Sequence, residues 1–434
     1  MEYTLYDLAL FWLVYAFVGW LVEAAYFAVT RRGFYDRGFL SAPLVASYGV
    51  TALLLILVLP TLNGLPVLQF AFCTVIATVV ETLAAALARL LTPGVQWERA
   101  KKRAIGGGKW GFVASLAVGG AFYLSYLLVH PLVMAVELMI PTLVKQIAVW
   151  VFVGLLAVDF AVSVYALRTG AGASNKRRQR EGRTKLAAWV SNFVWRRLNK
   201  AYPGIQQEPS EEDEARRAVF AKGLCWDKLI WVFFLTALGG DLIEMCWVRL
   251  VSHIWMSRSS VLYGPFSFVW GLGAVVLTVI LQPLAQKADR YVFLAGFVIG
   301  GVYEYMCSVF TELVFGTVFW DYSHMLLNIG GRTNLLFCFF WGVLAVFWSK
   351  VLYPAMSRAI EKIPALAGKV ITWVVVAIMV CNGLLTCAAM LRYSTRALRP
   401  EPVNAFEAFV DQQYGDSFMQ HRWPNMIVTE KGSL

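Results

Sequence analysis

Charged residues are scarce in this chain. They make up 15% of its 434 residues, whereas hydrophobic residues make up 59%. Average soluble domains carry roughly 25% charged residues. Together with a mean hydropathy of +0.62, this shortage argues against a soluble protein and predicts an all-α, polytopic integral membrane protein. The first apolar span retains Glu23 and lacks a small-residue cleavage site, so we expect a spanning helix there and not a removable signal peptide.

The chain also lacks the motifs of common chemistries. Its seven cysteines are scattered over apolar segments and a linker, so no disulfide framework is expected. Its four histidines do not have metal-ligand spacing, and the GGGK string ending at Lys109 does not fit a nucleotide-binding loop. No nucleophile elbow or Cys/His pairing is found. We therefore expect no metal, no cofactor and no enzymatic activity.

What the chain does contain is a copy of itself. A shift of 223 positions places Glu81 on Glu304 and Pro131 on Pro354, and a shift of 221 places Glu23 on Glu244. A repeat that includes acids, aromatic residues and prolines indicates a duplicated fold. The sequence thus predicts two homologous halves.

Each half contains five apolar segments long enough to cross a bilayer, so we predict about ten transmembrane helices. Glycine and proline mark the connections, among them Pro354 and Pro364. The predicted domains are a first repeat (1–168), a basic linker (169–227), a second repeat (228–392) and a polar tail (393–434). The predicted crossings are 6–29, 39–59, 67–91, 110–129 and 144–167, then 229–251, 266–281, 291–315, 335–352 and 370–390.

An odd number of crossings per half predicts that the two halves are inverted repeats. Basic residues gather after the first and third crossings and again after the seventh and ninth, which places the linker inside the cell. Arg392, Arg396 and Arg399 in the tail argue against this topology. In inverted repeats the working site lies near the midplane between the halves.

The net charge of +11 is concentrated in loops and in the linker, which favours anionic lipid headgroups over nucleic acid as a partner. Apolar residues from Leu186 to Leu198 have helical spacing among arginines and lysines. We expect a helix lying in the headgroup plane. Before Thr184, a solvated connector is an equal alternative.

Five acidic residues in the apolar segments are candidate site residues, because an ionised group inside a span costs roughly 2.5–3.5 kcal/mol. Glu81 and Glu304 are equivalent in the repeat, and in an inverted arrangement they would approach each other and suit proton or ion coupling. The alternative is structural pairing with neighbouring helices. Glu23 and Glu244 lie nearer helix ends, where pairing with Arg37 and Arg258 is the expected role. Asp159 aligns with Asn382 and so has no acidic counterpart.

The segment WDYSHMLLNIGGR follows the eighth crossing. It predicts an interfacial motif of functional residues, with aromatic anchoring as the alternative. The first half has an eroded version that begins at Trp97 and ends at Lys109. The candidate residues are Trp320, Asp321, Tyr322, Asn328 and Arg332, together with Lys109 and Arg37.

These motifs resemble those of the bacterial ABC-transporter permease family of the type IV group. The matching patterns are GW..E from Gly19, RGFL..P....YG from Arg37, an acid in the third span, and WDYS....N..GR from Trp320. The resemblance covers roughly residues 10–130 and 230–354. It implies a multi-pass permease of the bacterial cytoplasmic (inner) membrane, here as a fused tandem of two family units.

The expected function is a membrane transport permease with a pathway between the two halves and an unidentified substrate. Transport would be driven by a separate ATPase subunit or by ion coupling through Glu81 and Glu304. A cytoplasmic coupling loop of the EAA type is missing, which weakens the first mechanism. The alternatives are a membrane-embedded enzyme acting on lipid-linked substrates through Asp321, His324 and Arg332, and a non-catalytic membrane scaffold.

Overall fold

Apolar α-helices dominate the part of the chain that the computed structural model describes, namely residues 3–31, 39–92, 109–170, 193–197, 219–396 and 399–428. Eight helices in this part are long and apolar enough to cross a membrane, and two shorter apolar helices accompany them. The predicted all-α polytopic fold is confirmed. The chain forms two compact units, Met1–Ala215 and Arg216–Leu434, whose border falls within the predicted linker.

The described residues of the first unit include six α-helices of ten or more residues. A 3-10 turn, Leu59–Leu62, continues the second helix, and a π-helical turn, Ser125–Val129, joins the fourth to the fifth. Residues 193–197 are also helical, but the rest of the predicted amphipathic segment lies outside the described residues. The helices are α1 (Leu5–Arg31), α2 (Ala46–Val58), α3 (Pro66–Leu91), α4 (Lys109–Leu124), α5 (His130–Met139) and α6 (Thr142–Gly170).

The second unit repeats this order and adds a folded C-terminal segment. The 3-10 turn Gln282–Leu284 and the π-helical turn Trp348–Leu352 occupy the corresponding places. The helices are α7 (Trp226–Ser252), α8 (Phe268–Leu281), α9 (Asp289–Phe315), α10 (Leu335–Phe347), α11 (Tyr353–Glu361), α12 (Ala365–Arg396), α13 (Ala405–Gln413) and α14 (Asp416–Arg422). The short strands are β1 (Thr317–Val318), β2 (Asn328–Ile329), β3 (Thr333–Asn334) and β4 (Ile427–Val428).

The fourth span of each unit continues through a proline, so the prediction that Pro354 marks a connection is wrong. Proline has no N–H to donate, and its ring clashes with the carbonyl four residues earlier. A π-helical turn precedes it in both units: His130 N–H donates to the Ser125 carbonyl, and Tyr353 N–H donates to the Trp348 carbonyl. This wider turn shifts the hydrogen-bond register around the proline and keeps the helix continuous. Pro364 does lie in a connection, between α11 and α12.

In each unit, the short second helix begins beside the middle of the first. The Val45 N–H donates to the Ala16 carbonyl at 3.0 Å, and the Ser267 N–H donates to the Ala237 carbonyl at 2.9 Å. At 1.5 Å per residue, each contact lies about 22 Å from the C-terminal end of the first helix. The non-helical residues before α2 and α8, 39–45 and 253–267, therefore reach deep along α1 and α7. We call them the first and second re-entrant loops. Each leads into a short helix that continues toward the N-terminal end of the first helix, so a loop and its short helix together run antiparallel to that helix.

The re-entrant loops are held by the last long helix of their own unit. Asp159 of α6 accepts a hydrogen bond from the Ala42 N–H at 2.9 Å. Its counterpart in α12, Asn382, accepts from the Tyr263 N–H at 3.2 Å and donates to the Tyr263 carbonyl at 2.7 Å. In both units the side-chain oxygen accepts a hydrogen bond from a loop N–H. Aspartate and asparagine can therefore replace each other at this position while the loop keeps its support.

An arginine from the segment after the last long helix also supports each loop. Arg197 donates to the carbonyls of Phe39, at 3.1 Å, and Leu40. Arg422 donates to the carbonyls of Val261 and Gly264, both at 2.7 Å. Phe39 and Val261 are equivalent in the repeat at a shift of 222. In both units, a helical residue from the segment after the last long helix therefore supports the re-entrant loop.

The C-terminal segment, which composition describes only as a polar tail, packs onto the second unit. The last long helix, α12, extends to Arg396, past the predicted end of its crossing at residue 390. Strand β4 pairs antiparallel with β1, and the Arg392 guanidinium forms an ion pair with Asp411 of α13 at 2.7 Å. A buried apolar cluster joins α13 and α14 to α12 and the second loop. It comprises Leu262, Ala389, Met390, Val410, Tyr414, Met419 and Trp423.

Close packing of the second helix on the first depends on a glycine in each unit. A Cβ at Gly240 would lie 2.6 Å from the Cβ of Trp270, and a Cβ at Gly19 would lie 2.8 Å from the Cβ of Tyr48. We predict that Gly240→Ala destabilises the protein by about 1–3 kcal/mol, because the core of a packed helix pair cannot absorb an extra methyl group. Thermal unfolding of the purified protein in detergent measures this loss.

The neighbouring Gly239→Ala is the matched control, since nothing lies within 4 Å of its would-be Cβ. It should leave the unfolding temperature unchanged or raise it slightly, because alanine is the better helix former. Equal effects of the two substitutions would contradict the proposed packing constraint.

Candidate functional site

Glu244 is held between the second re-entrant loop and α8. The Trp270 indole N–H donates to its Oε1 at 2.7 Å, and Arg258 forms an ion pair with its Oε2 at 3.1 Å. The pairing with Arg258 that the sequence predicted is confirmed. Glu244 thus ties α7 to both the loop and the short helix that follows it.

Glu304, near the middle of α9, is held by two hydroxyl groups from the segment that follows this helix. The Tyr322 O–H donates to Oε1 at 2.9 Å, and the Thr333 Oγ1–H donates to Oε2 at 2.9 Å. The side chain of Trp341 on α10 also lies beside this carboxyl group. Burial and the neighbouring Glu304 raise the pKa of Tyr322, so its hydroxyl keeps its proton and remains a donor.

Two indole rings connect these acids. Trp270 and Trp341 lie with ring centroids 6.3 Å apart and planes tilted by 33°. A continuous series of contacts therefore runs from Glu244 through both indoles to Glu304, across α7, α8, α10 and α9. We call these four residues the indole-bridged acid cluster. It contains two carboxyl groups within helices of the second unit, and acids in such positions are candidates for an ion or proton pathway.

The predicted interfacial motif forms a turn that places Tyr322 and Thr333 on Glu304. Strands β2 and β3 pair antiparallel. Gly330 and Gly331 between them have positive φ values of 57° and 69°, which favour glycine. The Trp320 indole donates to the Arg332 carbonyl at 2.9 Å, and the Asn328 carboxamide accepts from the Gly331 N–H at 3.0 Å. These hydrogen bonds lie within the motif itself and hold the segment in its turn conformation.

The remaining charged residues of the motif are occupied locally. Arg332 donates to Ser308 at 3.2 Å and forms an ion pair with Glu312, both on α9. Asp321 accepts from the N–H and hydroxyl of Ser323, both at 2.8 Å. The backbone hydrogen bond from Ser323 lowers the pKa of Asp321. In the described residues, Arg332 is therefore paired with Glu312, and Asp321 is held by Ser323.

The first unit brings fewer of the predicted residues together. Ser47, at the start of α2, donates to Glu81 at 3.2 Å. Glu23 is half-buried on α1. Arg37 and the eroded motif from Trp97 to Gly108 lie outside the described residues, as does the side chain of Lys109, the first residue of α4.

Sequence reasoning missed both indoles of the cluster, and it missed Thr333, which donates a hydrogen bond to Glu304. Trp341 aligns with Val118 in the first half, and Thr333 with Trp110, so the repeat gave no reason to select them. The one available signal for Thr333 was its position directly after the interfacial motif. Trp270 lies in an apolar segment, where an indole is also a common core residue, so the sequence gave no reason to select it.

The family described as "putative ABC-transporter type IV" matches residues 10–164 and 231–387, one match in each half. The chain therefore belongs to this family and is a tandem of two family units, as its motifs predicted. A transporter component is not an enzyme class, and this membership supports a transporter-like role in a multi-pass membrane protein. No curated protein and no solved structure shows significant similarity to the chain.

The hydrogen bond from Tyr322 makes Glu304 part of the packing of the second unit. We predict that Tyr322→Phe destabilises the protein by about 1.5–3 kcal/mol, the usual range for a hydrogen bond to a charged group. Thermal unfolding in detergent measures the effect. Tyr291→Phe is the control, because Tyr291 lies on the same helix as Glu304 but is 51% exposed. An unchanged unfolding temperature for Tyr322→Phe would remove Glu304 from the structural core.

Proposed function

We propose that this type IV family member is a membrane transport permease that moves an unidentified substrate along a pathway between its two homologous halves. One observation carries the proposal: each unit has a re-entrant loop that begins a short helix beside the middle of a long one. Non-helical backbone at membrane depth is tolerated only where protein buries it or where it lines a water-filled cavity. Such discontinuous helices form the substrate and ion sites of many transporters.

The proposed orientation of the two halves is inverted. It is supported by the five apolar crossings per half and by the shift of basic residues to opposite loops in the second half. Under this arrangement the two re-entrant loops enter from opposite sides of the membrane. Glu81 and Glu304, equivalent in the repeat, would then face a common pathway and bind an ion or protons during transport.

The proposed energy source is either an ion gradient or a separate ATPase subunit. The family membership is compatible with an ATPase partner. The sequence itself carries no nucleotide-binding loop, so ATP would have to be hydrolysed by another chain. The acids in the described spans provide the groups for the ion-coupled alternative.

The proposed location is the bacterial cytoplasmic membrane, with the basic linker on anionic headgroups of the inner leaflet. Six basic residues fall between positions 176 and 185. Each contributes about 1 kcal/mol of attraction to an anionic surface. The helical residues 193–197 would anchor this segment to the first unit through Arg197 and through Trp195, whose indole donates to the Ala166 carbonyl at 3.1 Å.

A transport pathway predicts that water reaches the second re-entrant loop. We expect a cysteine at Tyr263, in a cysteine-free background, to react with a membrane-impermeant thiol reagent in proteoliposomes. Leu272→Cys on α8 is the matched control, because Leu272 is 51% exposed and Tyr263 is 50% exposed. A lipid-facing Leu272→Cys should stay unreactive. If both cysteines fail to react, the non-catalytic scaffold becomes the better explanation.

The inverted arrangement predicts opposite sidedness for the connections after the first helix of each half. We expect single cysteines at Phe34 and Ser257 to be labelled from opposite sides of sealed, oriented vesicles. Reagent added outside labels one position, and the other reacts only after the vesicles are permeabilised. Labelling of both positions from the same side would exclude a pathway built on inverted halves.

A further inference from the structure

Asp241 is a buried acid of the second unit that none of the contacts above uses. It lies on α7, one turn after Ala237, whose carbonyl receives the second re-entrant loop. Its exposed fraction is 0%, and among the described residues no donor hydrogen-bonds either of its carboxyl oxygens. Buried polar groups almost always have a partner, so this residue needs an explanation.

The charged groups within electrostatic range of Asp241 already have partners. They are Glu244 on the same helix, Arg258 in the loop and Arg422 on α14. Glu244 and Arg258 form an ion pair with each other. Arg422 donates to the carbonyls of Val261 and Gly264. None of them neutralises Asp241 by direct contact in this conformation.

A buried, ionised carboxylate without donors is strongly disfavoured, so Asp241 must carry a neutralising cation or a proton. The described residues contain no group of three or more His, Cys, Asp or Glu side chains that could hold a metal ion. A proton needs no set of ligands, and it neutralises the carboxyl group where it stands.

We infer that Asp241 is a proton-binding site in the second unit and that its protonation is linked to the second re-entrant loop. When Asp241 loses its proton, the new negative charge attracts Arg422, the residue that now holds the loop carbonyls. Proton release would therefore compete with the contact between α14 and the loop. The aligned residue in the first half is Trp20, so the site belongs to the second unit alone.

The first test uses the unaltered protein in proteoliposomes and dicyclohexylcarbodiimide, an apolar reagent that modifies protonated carboxyl groups. Mass spectrometry locates the modified residue. We expect modification of Asp241, a progressive loss of this modification as the pH rises, and no change when sodium replaces choline at constant ionic strength. Glu244 should remain unmodified, because Trp270 and Arg258 already occupy its two carboxyl oxygens.

Two results would overturn the inference. Absence of modification at Asp241 across the whole pH range would mean that the residue is not protonated. Protection by sodium would identify an alkali-cation site in its place. These outcomes do not require transport, so they are independent of the proposed permease function.

The second test measures the link to the loop. A spin label attached at Ser257→Cys, in a cysteine-free background that keeps Asp241, should become more mobile as the pH rises through the range in which the carbodiimide reaction is lost. In Asp241→Asn, which resembles the protonated acid, the mobility should not change with pH. A pH response that persists in this variant would contradict the link. If Asp241→Asn does not fold, the carbodiimide and spin-label pH profiles of the protein that keeps Asp241 still test the link. Loop mobility that stays constant over the pH range in which the carbodiimide reaction is lost would contradict it.

Discussion

The need to satisfy backbone hydrogen bonds away from water governs this structure. A helix meets that need by itself, but the two re-entrant loops cannot, since their carbonyl and N–H groups enter beside the middle of α1 and α7. Each loop therefore has partners on its flanks. The first helix supplies a carbonyl at Ala16 or Ala237, the last long helix supplies Asp159 or Asn382, and a closing segment supplies an arginine. The close packing of the first two helices at a glycine and the packing of the C-terminal segment both serve to hold this loop in place.

The duplication preserved these backbone supports and let the polar interior diverge. Tyr48 occupies the place of Trp270, and Val118 that of Trp341, so the first unit cannot form the same bridge of indoles between its acids. A support that bonds backbone tolerates exchange of Asp for Asn, because either side chain offers an oxygen acceptor. A bridge of two indole rings in contact is lost when either ring is replaced by a small side chain. The two units thus share the hydrogen bonds that support the re-entrant loop and differ in the side chains around their acidic residues.

The fold was largely predictable because its signals are local. Apolar length identified the eight long helices and the two shorter apolar ones in the described residues, and the repeat identified the two units. Pro354 was misread because a π-helical turn, which depends on carbonyl geometry, has no composition signature. The site was only half predictable. Glu244 and Glu304 were visible as charges in apolar runs, but Trp341 and Thr333 contact them from distant positions on apolar or interfacial segments. Arg422 was hidden for the same reason, since its partners are backbone carbonyls, which every residue has.

The degree to which each acid is satisfied separates structural from exchangeable roles. Glu304 receives two hydroxyl hydrogen bonds, and Glu244 receives an indole and a guanidinium. In this conformation both groups fix helices in place, and binding an ion during transport would require these donors to be released. Asp241 has no such donors among the described residues, so gaining a proton costs it nothing in contacts, and losing one creates an attraction that only Arg422 or Arg258 can meet. A residue whose charge forces its neighbours to rearrange is better suited to coupling than one already held from both sides.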